Sequence, residues 1–140
     1  MTNITGRCLC NDIEIVINSD PILSGKCYCN QCQKISGGSS ASVLVFPAHA
    51  VKITKGALRF HETLADSGNK IGRGFCPNCG TPILSRLDNN KDILVVKLGA
   101  LDKPESFKPT VAFWTSEAHD WSKFPDGAIQ FTHNPPSSDA

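Results

Sequence analysis

The dominant spacing of hydrophobic residues along the chain is two. This alternation places successive side chains on opposite faces of a strand, and it is typical of sheets with one buried face. Turn-forming residues, such as those at 66–69 and 88–90, separate the hydrophobic segments. The pattern predicts strands at residues 12–17, 42–46, 52–56, 58–61, 70–75, 82–87, 92–98 and 109–114.

Only two segments favour a helix. Residues 30–36 lack a run of β-branched side chains and are followed by Gly37 and Gly38, which suit a glycine C-cap. A second helical turn is predicted at 115–120, where Thr115 or Ser116 would cap and the acidic residues would face the positive end of the helix dipole. The sequence therefore predicts a mostly β fold with one or two short helices.

Length and composition limit the class of protein. The 140 residues suit a single domain over 1–133, with a Pro- and Ser-containing tail at 134–140 that we expect to be flexible. A formal net charge of +1 offers no strong attraction to nucleic acid or anionic lipid. The longest apolar run, at 41–46, is far shorter than the roughly 20 residues that cross a bilayer. We expect neither nucleic acid nor a membrane as partner.

The seven cysteines form three tight clusters: Cys8 and Cys10; Cys27, Cys29 and Cys32; Cys76 and Cys79. Disulfide bonding explains them poorly, because an odd count leaves one thiol unpaired and partners so close in sequence would form strained rings. The first residues also lack the pattern of a secretory signal, so we expect a cytoplasmic protein, where reducing conditions disfavour disulfides. The spacing favours metal ligation.

The last pair is typical of a zinc knuckle. Cys76 and Cys79 flank a tight turn in which Pro77 fixes one backbone dihedral, and Gly80 permits the positive φ that directs backbone amides toward sulfur. Such a knuckle needs a second pair of ligands.

Cys8 and Cys10 can supply that pair if the strand is broken by a bulge or sharp turn that lets both side chains reach one ion. Gly6 and Asn11 are suited to such a break, since both tolerate unusual backbone conformations. We assign one structural zinc, joining the N-terminal hairpin to the middle of the sheet, to Cys8, Cys10, Cys76 and Cys79.

The remaining three cysteines suit a zinc with different properties. Cys29 and Cys32 would share one face of the short helix, and Cys27 would approach from the preceding extended segment. Three protein ligands leave a fourth position for substrate, so these cysteines are the candidate catalytic residues and two zinc ions per chain are expected. Three thiolates make zinc a soft, weak Lewis acid, which favours a thiol substrate presented as a nucleophile to a small aldehyde.

These motifs resemble the glutathione-dependent formaldehyde-activating enzymes and their relatives, which include centromere protein V. The resemblance covers nearly the whole chain, through residues 6–10, 27–37 and 75–82 and the closing Trp114 and Trp121. It implies tent-like antiparallel β sheets with zinc knuckles and the same division of the cysteines between a structural and a catalytic zinc. It also implies condensation of formaldehyde with glutathione, with the reverse step a carbon–sulfur lyase reaction.

Two other functional classes fit the cysteines. One is a zinc-ribbon-like module that binds nucleic acid or protein, and the other is a thiol redox or metal sensor that releases zinc on oxidation. Side chains outside the cysteine clusters have ordinary interpretations: the four histidines as structural or solvated residues, and the cations Lys52, Lys55, Arg59, Lys70 and Arg73 as a solvated strand face rather than a carboxylate site. Trp114 and Trp121 would either line a substrate pocket or close a core.

Overall fold

The computed structural model describes residues 3–65 and 68–135. The predicted tail beyond 135 and two residues of the turn at 66–69 lie outside the described residues. Strands are β1 Ile4–Arg7, β2 Glu14–Ile17, β3 Leu23–Cys27, β4 Ala41–Pro47, β5 Val51–Lys55, β6 Arg59–Leu64, β7 Lys70–Phe75, β8 Pro82–Leu87, β9 Asn90–Lys97, β10 Val111–Phe113 and β11 Ile129–Gln130. The helix α1 spans Asn30–Ser36, and 3-10 turns lie at Ala48–Ala50, Leu98–Ala100, Pro104–Ser106 and Thr115–Glu117.

The strands form two sheets. A three-stranded sheet has the order β1-β2-β5, and an eight-stranded sheet has the order β11-β10-β3-β4-β9-β8-β7-β6. Neighbouring strands are antiparallel, except that β10 runs parallel to both β3 and β11. The predicted mostly β class with open sheets is confirmed.

One face of the eight-stranded sheet packs against the small sheet. In β2 the alternation is regular, since Ile15 and Ile17 are fully buried while Glu14 and Val16 are not. Ile15 and Ile17 belong to one core cluster with residues of β4, β8 and β9, among them Phe46. Two cysteines, Cys8 and Cys76, belong to the same core.

The opposite face of the large sheet carries a different set of side chains. Residues paired across neighbouring strands point to the same face, and so do residues two apart on one strand. The registers therefore place one row of residues together across five strands: Arg73, Ser85, Val95, Lys97, Val43, Ala41 and Cys27. Helix α1 contacts β4. Two cations and one cysteine thus share the face that lies away from the main core.

The helices agree with the sequence in part. The first spans the predicted residues and ends at Gly37, whose φ of 73° is left-handed. The second prediction is reduced to the 3-10 turn Thr115–Glu117, and its expected cap is wrong, because Trp114 is the N-cap, with φ of 56° and no side-chain cap bond. Among the described residues, no helix is both long enough and apolar enough to span a bilayer.

Candidate metal centres

The hairpin between β1 and β2 brings two cysteine side chains together. The amide of Cys8 donates a hydrogen bond to the carbonyl of Ile13 at 3.1 Å, and the amide of Asn11 donates to the carbonyl of Cys8 at 3.1 Å. Asn11 has a positive φ of 68°. The strand is therefore broken by a tight turn, as the spacing of Cys8 and Cys10 requires.

The knuckle between β7 and β8 supplies the other pair. Gly80 has φ of 79°, and its amide donates to the carbonyl of Cys76 at 2.9 Å. The amide of Cys79 points at the Cys76 Sγ atom at 3.5 Å. Both the positive φ and the amide directed at sulfur confirm the turn predicted from sequence.

Four sulfur atoms meet where these two turns approach. The Sγ atoms of Cys8, Cys10, Cys76 and Cys79 all lie within 4.8 Å of one another. Cys8 and Cys10 are 3.6 Å apart, and Cys10 and Cys76 are 3.7 Å apart. Four sulfurs at about 2.3 Å from a tetrahedral zinc would be about 3.8 Å from one another, so this four-cysteine cluster fits zinc.

The four-cysteine cluster lies against the core between the sheets. Cys8 is 2% exposed and Cys76 is fully buried, both within the core between the sheets. The Thr81 hydroxyl lies 3.1 Å from the Cys79 sulfur, and this contact lowers the pKa of Cys79 to about 5. A thiolate at Cys79 is therefore favoured at neutral pH.

The other three cysteines come together at the end of β3. Cys27 pairs with Phe113 of the parallel strand β10, and the next amide, that of Tyr28, donates to the Phe113 carbonyl at 3.0 Å. Cys29 is the N-cap of α1 rather than a residue within it, and its Sγ accepts from the amide of Cys32 at 3.3 Å. The three Sγ atoms lie within 4.8 Å of one another.

Electrostatics in this three-cysteine cluster favour a bound cation. Hydrogen bonds from the thiols of Cys27 and Cys32 hold the pKa of Cys29 far below its usual value. Cys27 is affected in the opposite sense, since its bond to Cys29 raises the pKa of Cys27. For Cys32, the hydrogen bond with Cys27 lowers the pKa, but the hydrogen bond with Cys29 and burial outweigh this effect and raise the pKa of Cys32 to about 11. One thiol ionises easily and the next two do not, so three thiolates need a positive ion among them.

A 3-10 turn fixes the loop that carries these cysteines. The carboxylate of Glu117 accepts from the backbone amide of Asn30 at 2.7 Å, and thus faces the positive end of α1 rather than that of its own turn. The Gln33 side chain donates to the carbonyls of Tyr28 at 2.8 Å and Glu117 at 3.1 Å. The sequence analysis missed this role of Glu117, because nothing local links residues so far apart in the chain.

Arg73 anchors the other side of the helix. It is only 8% exposed, so its assignment to a solvated strand face is wrong. Its guanidinium donates to the hydroxyl of Thr63 at 2.6 Å and to the side-chain carbonyl of Gln31 at 2.8 Å. Gln31 in turn donates to the carbonyl of Leu64 at 3.2 Å. The helix is therefore held between the 3-10 turn and strands β6 and β7.

A second cation, which the sequence analysis did not single out, lies near the same cluster. Burial lowers the pKa of Lys97, whereas the nearby sulfur of Cys32 raises it and the charge of Arg73 lowers it further. The sequence does contain a sign of this position. Ile93 and Val95 alternate along one face of the strand, and Lys97 stands where a further apolar residue would continue that face. Lys97 thus lies beside the three sulfurs, and Arg73 lies farther along the same face of the sheet.

The histidines and tryptophans lie outside both cysteine groups. His119 stacks on Trp121 at 4.9 Å between ring centroids, and His133 meets Trp114 edge to face at 4.6 Å. Trp121 is 71% exposed, so it does not close a core. Within residues 3–65 and 68–135, the metal-ligating groups that the structure brings together contain cysteine alone.

Comparison with known proteins gives a family for this arrangement. Residues 3–117 match the family model described as "Glutathione-dependent formaldehyde-activating enzyme". That region includes all seven cysteines and both sulfur clusters.

Individual relatives are fungal. Proteins of Phaeosphaeria nodorum and Talaromyces marneffei, both named "Putative glutathione-dependent formaldehyde-activating enzyme", are 29% and 31% identical over 84 and 81 residues. The aligned regions cover 60% and 58% of this chain but 43% and 42% of the relatives. The chain therefore spans less than half the length of the curated relatives that it matches.

A solved structure supports the fold. The crystal structure of a Rhodobacter sphaeroides protein is similar with a TM-score of 0.57 and 18% sequence identity, covering 70% of this chain and 87% of that one. The likeness concerns the arrangement of the strands.

Proposed function

Because the chain belongs to the glutathione-dependent formaldehyde-activating enzyme family, we propose that it joins a small thiol to formaldehyde or a similar aldehyde at the three-cysteine cluster. Glutathione is the proposed thiol. The four-cysteine cluster is proposed as a structural zinc site, and Cys27, Cys29 and Cys32 as the ligands of a catalytic zinc.

The observation that carries the proposal is the difference between the two clusters. Four sulfurs, two of them buried in the core and two partly buried against it, satisfy a tetrahedral ion, whereas the group at the end of β3 offers three. Within the described part of the chain, no histidine or carboxylate joins those three sulfurs as a fourth ligand. Such a site favours an exogenous ligand in the remaining position.

When bound, zinc would supply positive charge that lowers the pKa of a substrate thiol and a coordination position that holds its sulfur. The protein's own contribution is to fix that position. The N-cap bond of Cys29, the Glu117 contact to Asn30 and the Arg73 contact to Gln31 orient the sulfur ligands from three directions. A ligand set held in this way loses little entropy when substrate binds.

The reaction forms one carbon–sulfur bond. The thiol sulfur attacks the aldehyde carbon, the carbonyl π electrons move to oxygen, and the proton lost by the thiol ends on that oxygen. The product is a hemithioacetal, which for glutathione and formaldehyde is S-hydroxymethylglutathione. Breaking the same bond is the lyase direction. Lys97 favours the thiolate form of the attacking sulfur through its positive charge.

Cobalt substitution tests the binding step. The protein loaded with two cobalt ions is titrated with glutathione, and we expect sulfur-to-cobalt charge-transfer absorbance to increase until one glutathione is bound per chain. S-methylglutathione, which lacks the thiol, is the matched control and should leave the spectrum unchanged. An unchanged spectrum with glutathione itself would contradict the proposal.

Exchange spectroscopy tests the chemistry, because the uncatalysed condensation also proceeds. The rate at which free and bound formaldehyde interconvert in a glutathione solution is measured by NMR, with and without the protein. We expect the zinc-loaded protein to accelerate exchange in proportion to its concentration. The Cys29→Ser variant should show only the uncatalysed rate.

A further inference from the structure

A cavity of about 160 Å³ lies between the end of α1, the start of β4 and the end of β9. Its lining includes the hydroxyl-bearing Ser36, Ser40 and Ser42, together with Ala41 and Lys97. A space of only about 10–15 Å³ holds one water molecule. The cavity is therefore large enough for a small polar group and part of the chain that carries it.

The cavity adjoins the three-cysteine cluster on two sides. Ala41 in its wall is the direct cross-strand partner of Cys27, which places their Cα atoms about 4.5–5.5 Å apart. Ser36 follows Cys32 by four residues on α1, so the two side chains lie on one face of the helix about 6 Å apart. A molecule whose sulfur is held by the cluster can therefore reach the cavity within a few bonds.

Lys97 is the charged group that both places have in common. It lines the cavity, and its charge acts on the sulfurs of Cys27, Cys29 and Cys32. Within residues 3–65 and 68–135, the structure gives its ammonium group no hydrogen bond and no ion pair, whereas Arg73 on the same face has two hydrogen bonds. A largely desolvated ammonium group with three donors is costly unless an acceptor meets it.

We propose that the cavity is a carboxylate subsite of the thiol site, in which Lys97 pairs with a carboxylate of the substrate. The inference rests on the proposed function, since it presumes that the substrate sulfur binds at the three-cysteine cluster. It names the substrate class as small thiols that carry a carboxylate a few bonds from sulfur, and it makes Lys97 the residue that determines specificity. Simple mercapto acids belong to this class, and glutathione carries its carboxylates farther from the sulfur.

A pair of matched thiols tests the subsite. The probes are 3-mercaptopropionate and its neutral amide, 3-mercaptopropionamide, which have nearly the same size and differ in charge. Each is titrated by calorimetry into the zinc-loaded full chain. We expect the carboxylate to bind about tenfold more tightly than the amide or better, which is the effect of one charge-assisted hydrogen bond.

Two variants assign the preference to its residue. Lys97→Met keeps the length of the side chain without its charge, and it should bind both thiols with equal affinity. Lys26→Met is the matched control, because Lys26 precedes Cys27 on β3 and so points to the opposite face of the sheet. It should keep the wild-type preference. Circular dichroism and zinc content confirm that each variant folds.

The outcomes separate the two proposals. Equal affinity of both thiols in the wild-type protein would overturn the carboxylate subsite and leave the proposed function standing. Failure of both probes to bind would overturn the subsite, and failure of glutathione to bind as well would overturn the proposed function. A carboxylate preference that survives in Lys97→Met would remove Lys97 from its role. If Lys97→Met does not fold, the wild-type comparison decides the subsite by itself.

Discussion

Replacing Cys29 with serine separates the two roles that the structure gives this residue. Its sulfur belongs to the three-cysteine cluster, and the same sulfur caps α1 by accepting from the amide of Cys32 at 3.3 Å. Serine is a good N-cap but does not replace a thiolate ligand. Cys29→Ser should therefore lose thiol binding while the helix keeps its first turn.

The expected magnitudes follow from these contacts. With one zinc per chain, which we expect to fill the four-cysteine cluster first, Cys29→Ser should change the free energy of unfolding by less than about 1 kcal/mol. Cys29→Ala loses the cap as well and should be less stable than the serine variant by about 1 kcal/mol. Cys79→Ser removes a ligand from the four-cysteine cluster, where a structural zinc contributes on the order of 10 kcal/mol.

Urea unfolding followed by circular dichroism measures all three variants. Since a small domain has a total stability of about 5–15 kcal/mol, Cys79→Ser should be largely unfolded without denaturant. The Cys29 variants should unfold cooperatively near the wild-type midpoint. If Cys29→Ser and Cys79→Ser were destabilised equally, the division of the cysteines into a structural and a catalytic group would be refuted.

Three further predictions concern proton release, a hydrogen-bonded carboxylate and a close backbone approach. Zinc affinity at the three-cysteine cluster should rise about 100-fold per pH unit near neutrality, because two protons are released when zinc binds. Cys29 has a lowered pKa and is already ionised, whereas Cys27 and Cys32 have raised pKa values and must each lose a proton. Chelator competition measures the affinity, and a flat pH profile would contradict the prediction. The hydroxyl of Thr5 lowers the pKa of Asp102, so this carboxylate stabilises the fold above its unfolded pKa of about 3.9 and ceases to do so as pH falls through its folded pKa. Solvent screens this exposed contact, so Asp102→Asn should cost only about 0.5 kcal/mol at pH 7 in urea unfolding and less at acidic pH, where the wild-type carboxylate is also protonated; a cost that does not change with pH would count against the contact. Gly6→Ala would place its Cβ 2.5 Å from the Ala100 carbonyl oxygen, so we expect a loss of about 1–3 kcal/mol, and unchanged stability would show that the backbone yields there.

Local chemistry explains why much of the site could be predicted. The helix over Asn30–Ser36 ends at Gly37 in a left-handed conformation, as the residues themselves favour. The same holds for the turns at Asn11 and Gly80, which direct sulfur ligands toward one point. In each case the information lies within a few residues of the feature, so these local turns could be predicted from the sequence alone.

Long-range pairing explains what was missed. Strand β3 was not predicted, because its sequence lacks alternation and contains Gly25. The structure gives the reason for that glycine: a Cβ there would lie 2.9 Å from the Phe113 ring of the parallel strand β10. The positions of Arg73 and Lys97 beside the cysteines also depend on a register that runs across five strands, which no local pattern reveals.

A crystal structure of the zinc-loaded protein with glutathione tests the central claim most directly. We expect the glutathione sulfur at about 2.3 Å from an ion that Cys27, Cys29 and Cys32 also hold, with a separate ion enclosed by the other four cysteines. A fourth protein side chain on the first ion, or glutathione bound away from it, would contradict the account.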